Sequence, residues 1–272
     1  MASNKKVNTG LFANGHQNAK RAWLVGDFNN WENNFELKQA YGGTWEISIP
    51  GMLPVGSKVK VKLLLPSGET VYRVPSYIMF AIPNERHELD GVIVQPKYDW
   101  KNKAPQLKEA PLIYEAHIGI STEEYKINSY KEFTRDVLPR IKKAGYNTIQ
   151  LMAIMEHPLY ASFGYQVSNF FAISSRFGQP EDLMELIDQA HGMGLRVLLD
   201  VVHSHAVKNI EDGLNYFDGT ENQYFHEGER GNHPAWKTKL FNYGKDEVIH
   251  FLLSNLKFWL DTYHLTVFVL ML

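Results

Sequence analysis

The chain has 272 residues, of which 44% are hydrophobic and 21% charged, and its formal net charge is −2 at pH 7. This composition is typical of a globular protein with one large or two modest domains, and the small net charge gives no electrostatic footprint for nucleic acid or an anionic membrane surface. Cysteine is absent, which excludes disulfides and favours a cytoplasmic location. Residues 1–10 lack the apolar core of a signal peptide, and no window reaches the roughly 20 apolar residues of a membrane span. We therefore expect a neutral or weakly charged ligand, with no nucleic-acid or membrane partner.

The N-terminal third of the sequence predicts a β-sandwich. Over residues 1–94, short segments such as TWEISIP and KVKVKLLL alternate polar and apolar side chains and are separated by Gly, Pro and Asn. The next stretch, residues 95–111, is charged, rich in proline and without a period, which is typical of a connector on a surface. We expect a sandwich domain over the first range and a linker over the second.

Strand and helix patterns alternate over residues 112–272. Strands are predicted by the apolar segments LIYEAHIGI, YNTIQLMAI and RVLLDVV, the last of which has the composition of a parallel strand covered on both faces. Helices are predicted by the capping-box spacing of Ser129 and Glu132, by a first-turn proline at Pro180, and by the amphipathic segment DEVIHFLLSNLKFWLDTYH. The order βαβαβα indicates either a doubly wound sheet or the beginning of a (β/α)8 barrel, with three βα units and a terminal strand.

Two long connections follow the second and third predicted strands, where ligands gather in both architectures. The first, MEHPLYASFGYQVSNFFAISSRFG, is too long for a simple connector and dense in aromatic residues. The second covers roughly Ile210 to Gly244 and is filled with Asn, Asp, Gly, Tyr and His. We expect the first to recognise a ligand or to pack on itself, and the second is a further candidate for function.

Four residues in these regions have two interpretations each. Asp200, which ends the third strand, either binds a ligand or caps neighbouring backbone amides. Tyr165 either belongs to the core or stacks on the apolar face of a ligand. His203 and His205 are spaced for a metal pair, but no further ligand falls at a familiar spacing, so a chance pair is the favoured interpretation and no metal is expected.

Several long segments together resemble one family. They include LIYEAHIGIST, AGYNTIQLMAIMEHPLYASFGYQVSNFFAISSRFGQPEDL, LLDVVHSHAVKN and YFHEGERGNHPAWKTKLFNYGKDEV, and they are similar to the α-amylase superfamily, glycoside hydrolase family 13, and within it to the 1,4-α-glucan branching enzymes. AWLVGDFNNWE with GTWEISIP resembles the carbohydrate-binding module of family 48. The resemblance implies an immunoglobulin-like carbohydrate-binding module followed by the N-terminal half of a TIM (β/α)8 barrel. It also implies transfer of an α-1,4-glucan segment to a 6-hydroxyl during glycogen synthesis, without a cofactor.

The resemblance carries a role to three positions. Asp200 and His205 match the first and last residues of the family's first conserved region, which help to hold the glucose unit being cleaved. Tyr165 matches the tyrosine whose ring stacks under that glucose. Ser204 stands where many amylases have a calcium-binding asparagine, so no calcium is expected there.

The family reaction needs two carboxylates about 5 Å apart, contributed by the fourth and fifth barrel strands. Branching enzymes continue at this point with a segment like FDGFRFDAVT, whereas this chain has LTVFVLML at 265–272. Removing one T from the codons TTT GAC GGT TTT CGT TTT GAT GCT GTA ACN gives LTVFVLML followed by a stop. We interpret the ending as a frameshifted, truncated one; the alternative is a naturally short protein whose last strand is hydrophobic.

The missing strands affect both the expected activity and the expected stability of this polypeptide. With no catalytic residue assigned, we expect no detectable branching. A half-barrel with free strand edges is expected to be poorly soluble or partly folded, with only the sandwich holding together independently. The alternative functions are a non-catalytic α-glucan-binding protein and a fragment of another α-amylase-family hydrolase.

Overall fold

A computed structural model describes residues 5–8, 18–39, 45–49, 53–106 and 108–271. Its N-terminal part contains eight strands among these residues: β1 (Lys5–Asn8), β2 (Arg21–Gly26), β3 (Lys38–Gln39), β4 (Trp45–Ile49), β5 (Lys58–Leu64), β6 (Thr70–Arg73), β7 (Ala81–Pro83) and β8 (Leu89–Val92). They pair antiparallel in two sheets, one in the order β1-β4-β3 and the other in the order β2-β5-β8-β7, with β6 also on β5.

Strand β5 shows why this part folds as a sandwich. Val59, Val61 and Leu63 are fully buried, and they join residues of the other sheet in one hydrophobic core. Lys60 points the other way yet is also buried, and its ammonium lies 3.3 Å from the carboxylate of Asp90. The period-two pattern therefore predicts the core face correctly, because alternate side chains of a strand point to opposite faces.

The remaining described residues alternate strands and helices: β9 (Ile113–Ala116), α1 (Tyr130–Glu132), a π-helical turn (Phe133–Val137), α2 (Leu138–Lys143), β10 (Thr148–Leu151), β11 (Met155–Glu156), β12 (Asn169–Ile173), α3 (Pro180–Gly192), β13 (Arg196–Val202), β14 (His205–Ala206), β15 (Asn232–His233), β16 (Thr238–Leu240), α4 (Asp246–Tyr263) and β17 (Val267–Met271). Strands β9, β10, β13 and β17 form a parallel sheet in chain order. A doubly wound sheet reverses its strand order at a switch point, whereas a barrel does not. The sheet therefore has the arrangement of the first strands of a (β/α)8 barrel, and the predicted fold class is confirmed.

The helix signals of the sequence are found at their expected positions. The Ser129 hydroxyl accepts a hydrogen bond from the Glu132 amide at 3.2 Å, and the Glu132 carboxylate accepts one from the Ser129 amide at 3.2 Å, which completes the capping box. Helix α3 begins at Pro180. These signals are local, so the sequence is sufficient to predict them.

Helix α4 buries an apolar stripe, as its spacing predicts, but it also buries a polar residue in the middle of that stripe. Asn255 is fully buried. Its side-chain nitrogen donates to the carbonyl oxygen of Phe170 at 2.8 Å, and its side-chain oxygen lies 2.8 Å from Nε2 of His203. One side chain thus joins α4 to β12 and to the residue that follows β13.

The first long connection contains regular structure that its composition does not reveal. β11 and β12 pair antiparallel within it, with a register shift between Met155 and Glu156. In the second connection β15 and β16 pair antiparallel, and β16 also pairs with β14, which precedes that connection. Both connections are therefore built as folded layers over the carboxyl end of the parallel sheet.

The segment between the two halves is anchored to α3. Asp188, buried on that helix, accepts hydrogen bonds from the Tyr98 hydroxyl at 3.1 Å and from the amides of Lys101 and Asn102 at 3.2 and 2.8 Å. Three hydrogen bonds to one carboxylate therefore fix residues 98–102 against the surface of α3.

The sandwich also contacts the barrel half directly. The backbone amide of Leu89 donates to the buried carboxylate of Asp212 at 2.6 Å, and the guanidinium of Arg73 donates to the carbonyl oxygen of Tyr216 at 3.0 Å. Both acceptors belong to the second long connection. Within the described ranges, none of the helices combines the length and the apolar character needed to cross a bilayer.

Candidate functional site

One face of the parallel sheet carries polar side chains near its carboxyl end. Gln150 of β10 is in register with Glu115 of β9 and with Leu198 of β13, so the three side chains share a face, and Asp200 lies two residues further along β13 on the same side. The opposite face is fully apolar and buried against the helices at Ile149, Leu151, Val197 and Leu199. The polar row therefore distinguishes the inner face of the sheet from the apolar face that packs on the helices.

Asp200 is at the centre of this row. It is 1% exposed, and its two carboxylate oxygens accept hydrogen bonds from the Gln150 amide at 2.9 Å and from the Tyr165 hydroxyl at 2.8 Å. Gln150 also donates to Glu115 at 3.3 Å. Among the described residues, the hydrogen-bond partners of the Asp200 carboxylate are thus two side chains, Gln150 of the sheet and Tyr165 of the first long connection, and not backbone amides.

Burial raises the pKa of Asp200 above its ordinary value, because the ionised carboxylate loses hydration. The hydrogen bond from Tyr165 acts in the opposite direction, the negative charge of Glu115 raises the pKa further, and the hydrogen bond from Gln150 lowers it. The two donors thus help to keep a buried carboxylate ionised.

Tyr165 reaches Asp200 through a tight turn. Its amide donates to the carbonyl oxygen of Ser162 at 3.0 Å, and the preceding Gly164 has a φ of +88°. A Cβ atom on Gly164 would lie 1.9 Å from the carbonyl oxygen of Ala153. Only glycine allows the chain this left-handed, close approach, which directs the tyrosine toward the sheet.

An ion pair between Glu156 and Arg176 joins the start and the end of the first long connection. Glu156 is fully buried, and its carboxylate accepts from the Arg176 guanidinium at 3.0 Å. The same guanidinium donates to the carbonyl oxygens of His157 and Pro158 at 2.6 and 2.9 Å. Burial raises the pKa of Glu156, and the donors from Ser175, His157 and Arg176 oppose this. Neither Glu156 nor Arg176 lies in a sequence pattern with a known spacing, so the sequence alone does not mark them as functional residues.

His205 lines the cavity that Tyr165 enters. This cavity has a volume of about 710 Å³, and it is lined by Leu159, Ser162, Tyr165, Gln166, Ser204, His205, Ala235, Trp236 and Lys237. His205 is 5% exposed, and within the described residues its Nδ1 has no hydrogen-bond partner. Burial, with a smaller contribution from His233, lowers the pKa of His205 to about 4, so the ring is neutral at pH 7.

His203 belongs to a different environment from His205. Its Nε2 is paired with Asn255 of α4, and its pKa is lowered mainly by burial. Within the part of the chain that the structure describes, no three His, Cys, Asp or Glu side chains are grouped as a metal site requires. Tyr165 and Asp200 are thus in direct contact, Tyr165 and His205 share one cavity, and His203 supports the helix.

A β-sandwich that precedes parallel βα units, with polar side chains at the carboxyl ends of the strands, defines a barrel protein with an N-terminal accessory module. Residues 135–264 match the family described as alpha amylase, catalytic domain. Residues 2–78 match carbohydrate-binding module 48, the isoamylase N-terminal domain. The chain therefore belongs to the α-amylase family and carries a module of the family-48 type.

Curated relatives are about half identical to this chain in sequence. It is 52% identical over 259 residues to a 1,4-alpha-glucan-branching enzyme of Yarrowia lipolytica, which covers 90% of this chain and 38% of the relative. It is 52% identical over 268 residues to the Saccharomyces cerevisiae protein of the same name, again over 90% of this chain and 38% of the relative. The chain spans about 38% of the length of these relatives.

Solved structures show the same fold at low identity. The catalytic module of SpuA, a multi-modular glycogen-degrading pneumococcal virulence factor, matches with a TM-score of 0.77 and 17% identity over 99% of this chain and 45% of that one. The same module in complex with an inhibitor matches with a TM-score of 0.75 and 18% identity over 98% of this chain and 45% of that one. At such identities the likeness concerns the fold alone.

Proposed function

We propose that the chain binds α-1,4-glucan, such as glycogen, in the manner of the branching class, which transfers a glucan segment to a 6-hydroxyl. By itself this polypeptide is expected to bind the glucan without detectable transfer. The observation that carries this proposal is the hydrogen-bonded contact of Tyr165 with Asp200 at the carboxyl end of the sheet. The names of the relatives that are 52% identical support the branching class over a hydrolase.

Each of the three residues has a distinct role in this proposal. Asp200, whose ionised form is favoured by its two donors, accepts hydrogen bonds from sugar hydroxyls, and such charge-assisted bonds are stronger than neutral ones. The hydroxyl of Tyr165 is held by Asp200, so its ring is fixed as a surface on which a glucose ring stacks. His205 is neutral, so its ring can both donate and accept hydrogen bonds with a further hydroxyl.

A second candidate function, α-glucan binding without chemistry, is favoured by a groove on the sandwich. This groove has a volume of about 750 Å³ and includes the half-buried Trp31 and the exposed Tyr72 beside Lys60 and Arg73. Aromatic rings among charged side chains offer both stacking and hydrogen bonds to a glucan. In this case the sandwich, and not the barrel half, supplies most of the affinity.

The proposal is tested by calorimetric titration of the chain with maltoheptaose. We expect Asp200→Asn to raise Kd about 10-fold or more, because the charge-assisted bonds are lost. Asp136→Asn is the matched control, since Asp136 is exposed and paired with Arg135, and we expect no change in Kd.

The outcomes separate the two candidates. A loss of affinity with Trp31→Ala, together with none for Asp200→Asn, contradicts the barrel site and supports the sandwich. Equal binding of cellohexaose would contradict the α-1,4 substrate class. We also propose a cytoplasmic location, supported by the absence of cysteine; enrichment in a secreted or membrane fraction would contradict it.

A further inference from the structure

Trp236 presents a large aromatic surface to the cavity that also contains Tyr165 and His205. Its side chain is 50% exposed, although it contacts two other rings. Exposure of an indole at the wall of a cavity with polar lining requires an explanation, because burial of its apolar surface is worth a few kcal/mol.

The ring is held in place from one side. The imidazole of His233 stacks on Trp236 with centroids 4.1 Å apart and planes inclined by only 5°. The Trp236 amide donates to Nδ1 of His233 at 3.2 Å, and Gln166 donates to the Trp236 carbonyl oxygen at 3.2 Å. The indole is therefore oriented before any ligand arrives.

The other face of the indole is left open by its ring neighbours. The ring of His205 lies 5.0 Å from Trp236 and 6.4 Å from His233. With the 4.1 Å stack these distances form a nearly right-angled triangle at Trp236, so His205 lies beside the edge of the indole and not over its second face.

Trp236 lies in a hydrogen-bonded turn. It is the turn between β15 and β16, closed by a hydrogen bond from the Lys237 amide to the His233 carbonyl oxygen at 2.9 Å, with Lys237 at a φ of +53°. β16 pairs in turn with β14, where His205 stands opposite Leu240. The small sheet thus holds Trp236 and His205 in one frame.

We infer that Trp236 forms a sugar-binding subsite beyond that of Tyr165: the open face of its indole stacks on the apolar face of a second glucosyl unit of an α-1,4-glucan. This inference rests on the proposed function. The two aromatic residues line one cavity of about 710 Å³, which lies within the usual range for small-molecule sites. Ser162, Gln166, Ser204 and Lys237 also line this cavity, and such a mixture of apolar surface with several polar groups suits a pyranose ring.

The test compares maltoheptaose with maltose by calorimetry. Trp236→Ala is expected to raise Kd for maltoheptaose about 10-fold and to leave Kd for maltose within about 2-fold, because maltose can occupy the Tyr165 side alone. Trp236→Phe keeps a ring and is expected to stay within about 3-fold of the unaltered chain for both. Tyr125→Ala removes a fully exposed aromatic side chain outside the cavity and serves as the matched control.

A fluorescence titration guards against a folding defect in the alanine variant. Maltoheptaose should change the tryptophan emission of the unaltered chain, and this change should be absent from Trp236→Phe. If the emission change persists in Trp236→Phe, or if Trp236→Ala binds maltoheptaose normally while Asp200→Asn does not, the subsite is refuted and the proposed function stands. If neither variant nor the unaltered chain binds maltoheptaose, both proposals are refuted.

Discussion

At the scale of single residues, Asp200 shows how the site tolerates a buried charge. A carboxylate that is 1% exposed has lost nearly all its water, and only hydrogen bonds compensate for this loss. Tyr165 and Gln150 supply one each, on different oxygens. The same bonds also fix the direction of both oxygens, as the proposed binding of sugar hydroxyls requires.

Tyr165→Phe is expected to lower the free energy of unfolding by about 2 kcal/mol at pH 7, because a hydrogen bond to a charged group is lost. The bond favours the ionised carboxylate, so its loss should raise the pKa of Asp200 further. The destabilisation should therefore be largest at neutral pH and shrink as acidification protonates Asp200. Urea denaturation across this pH range measures it.

Tyr125→Phe is the control for this substitution, since the Tyr125 side chain is fully exposed, and it should leave the unfolding free energy unchanged. A destabilisation by Tyr165→Phe that stays constant with pH would show that the hydroxyl does not act through the charge of Asp200.

The sequence predicts part of this site for identifiable reasons. Asp200 stands at the end of a clear apolar strand, so its place at the carboxyl edge follows from the pattern. The contact with Tyr165 depends on the turn at Gly164, and the role of Gln150 depends on strand register. Neither is visible in composition or spacing, because both are set by pairing between distant segments.

At the scale of elements, helix α4 is more than an apolar stripe. The amphipathic pattern predicts its buried face, but it treats Asn255 as an interruption. In the structure that residue satisfies groups on two other elements, which an apolar side chain cannot do.

Asn255→Leu is therefore expected to destabilise the chain by about 2 kcal/mol, although leucine fits the stripe by polarity. His203 and the Phe170 carbonyl would lose a buried partner, and an unsatisfied buried polar group is costly. Chemical denaturation measures the loss. Leu253→Ala is the control, because Leu253 lies on the same helix and is 59% exposed, and it should change stability by no more than about 0.5 kcal/mol. A similar loss of stability for both variants would show that helix propensity is the cause.

The hairpin of β11 and β12 shows the limit of pattern reading at this scale. β11 has two residues, and the register shifts beside it, so no alternation develops. β12, with the sequence NFFAI, lies within the aromatic-rich stretch that the sequence predicts to be a long connection between elements. Capping signals act within one helical turn, so they can be recognised in the sequence. The pairing of short strands joins distant segments, so it cannot be recognised there.

At the scale of the whole molecule, the sandwich and the barrel half share polar contacts that neither can satisfy alone. Asp212 is 3% exposed, and burial raises its pKa, while the Leu89 amide of the sandwich lowers it. The rings of Tyr77 and Phe171, whose centroids are 4.6 Å apart, add an apolar contact across the same boundary. These contacts favour joint unfolding over an independently stable sandwich.

Asp212→Ala is expected to lower the unfolding free energy by about 2 kcal/mol, since the Leu89 amide loses a charged acceptor. Thermal unfolding followed by circular dichroism and by tryptophan fluorescence should give one shared transition for the unaltered chain. The neighbouring Glu211 is exposed, so Glu211→Ala is the matched control and should leave the transition in place. Two separate transitions in the unaltered chain would show that the boundary contributes little.

The contacts of Leu89 and Arg73 with the second long connection also limit how such proteins can be rearranged. The loop they hold is the one that carries Trp236 and returns to the strand beside His205. Exchanging the sandwich for another binding module would therefore disturb the cavity, unless the new module placed hydrogen-bond donors where the Leu89 amide and the Arg73 guanidinium lie. We therefore expect the sandwich and the barrel half to be inherited together, and we expect chimeric proteins that combine either half with a different partner to be destabilised at this boundary.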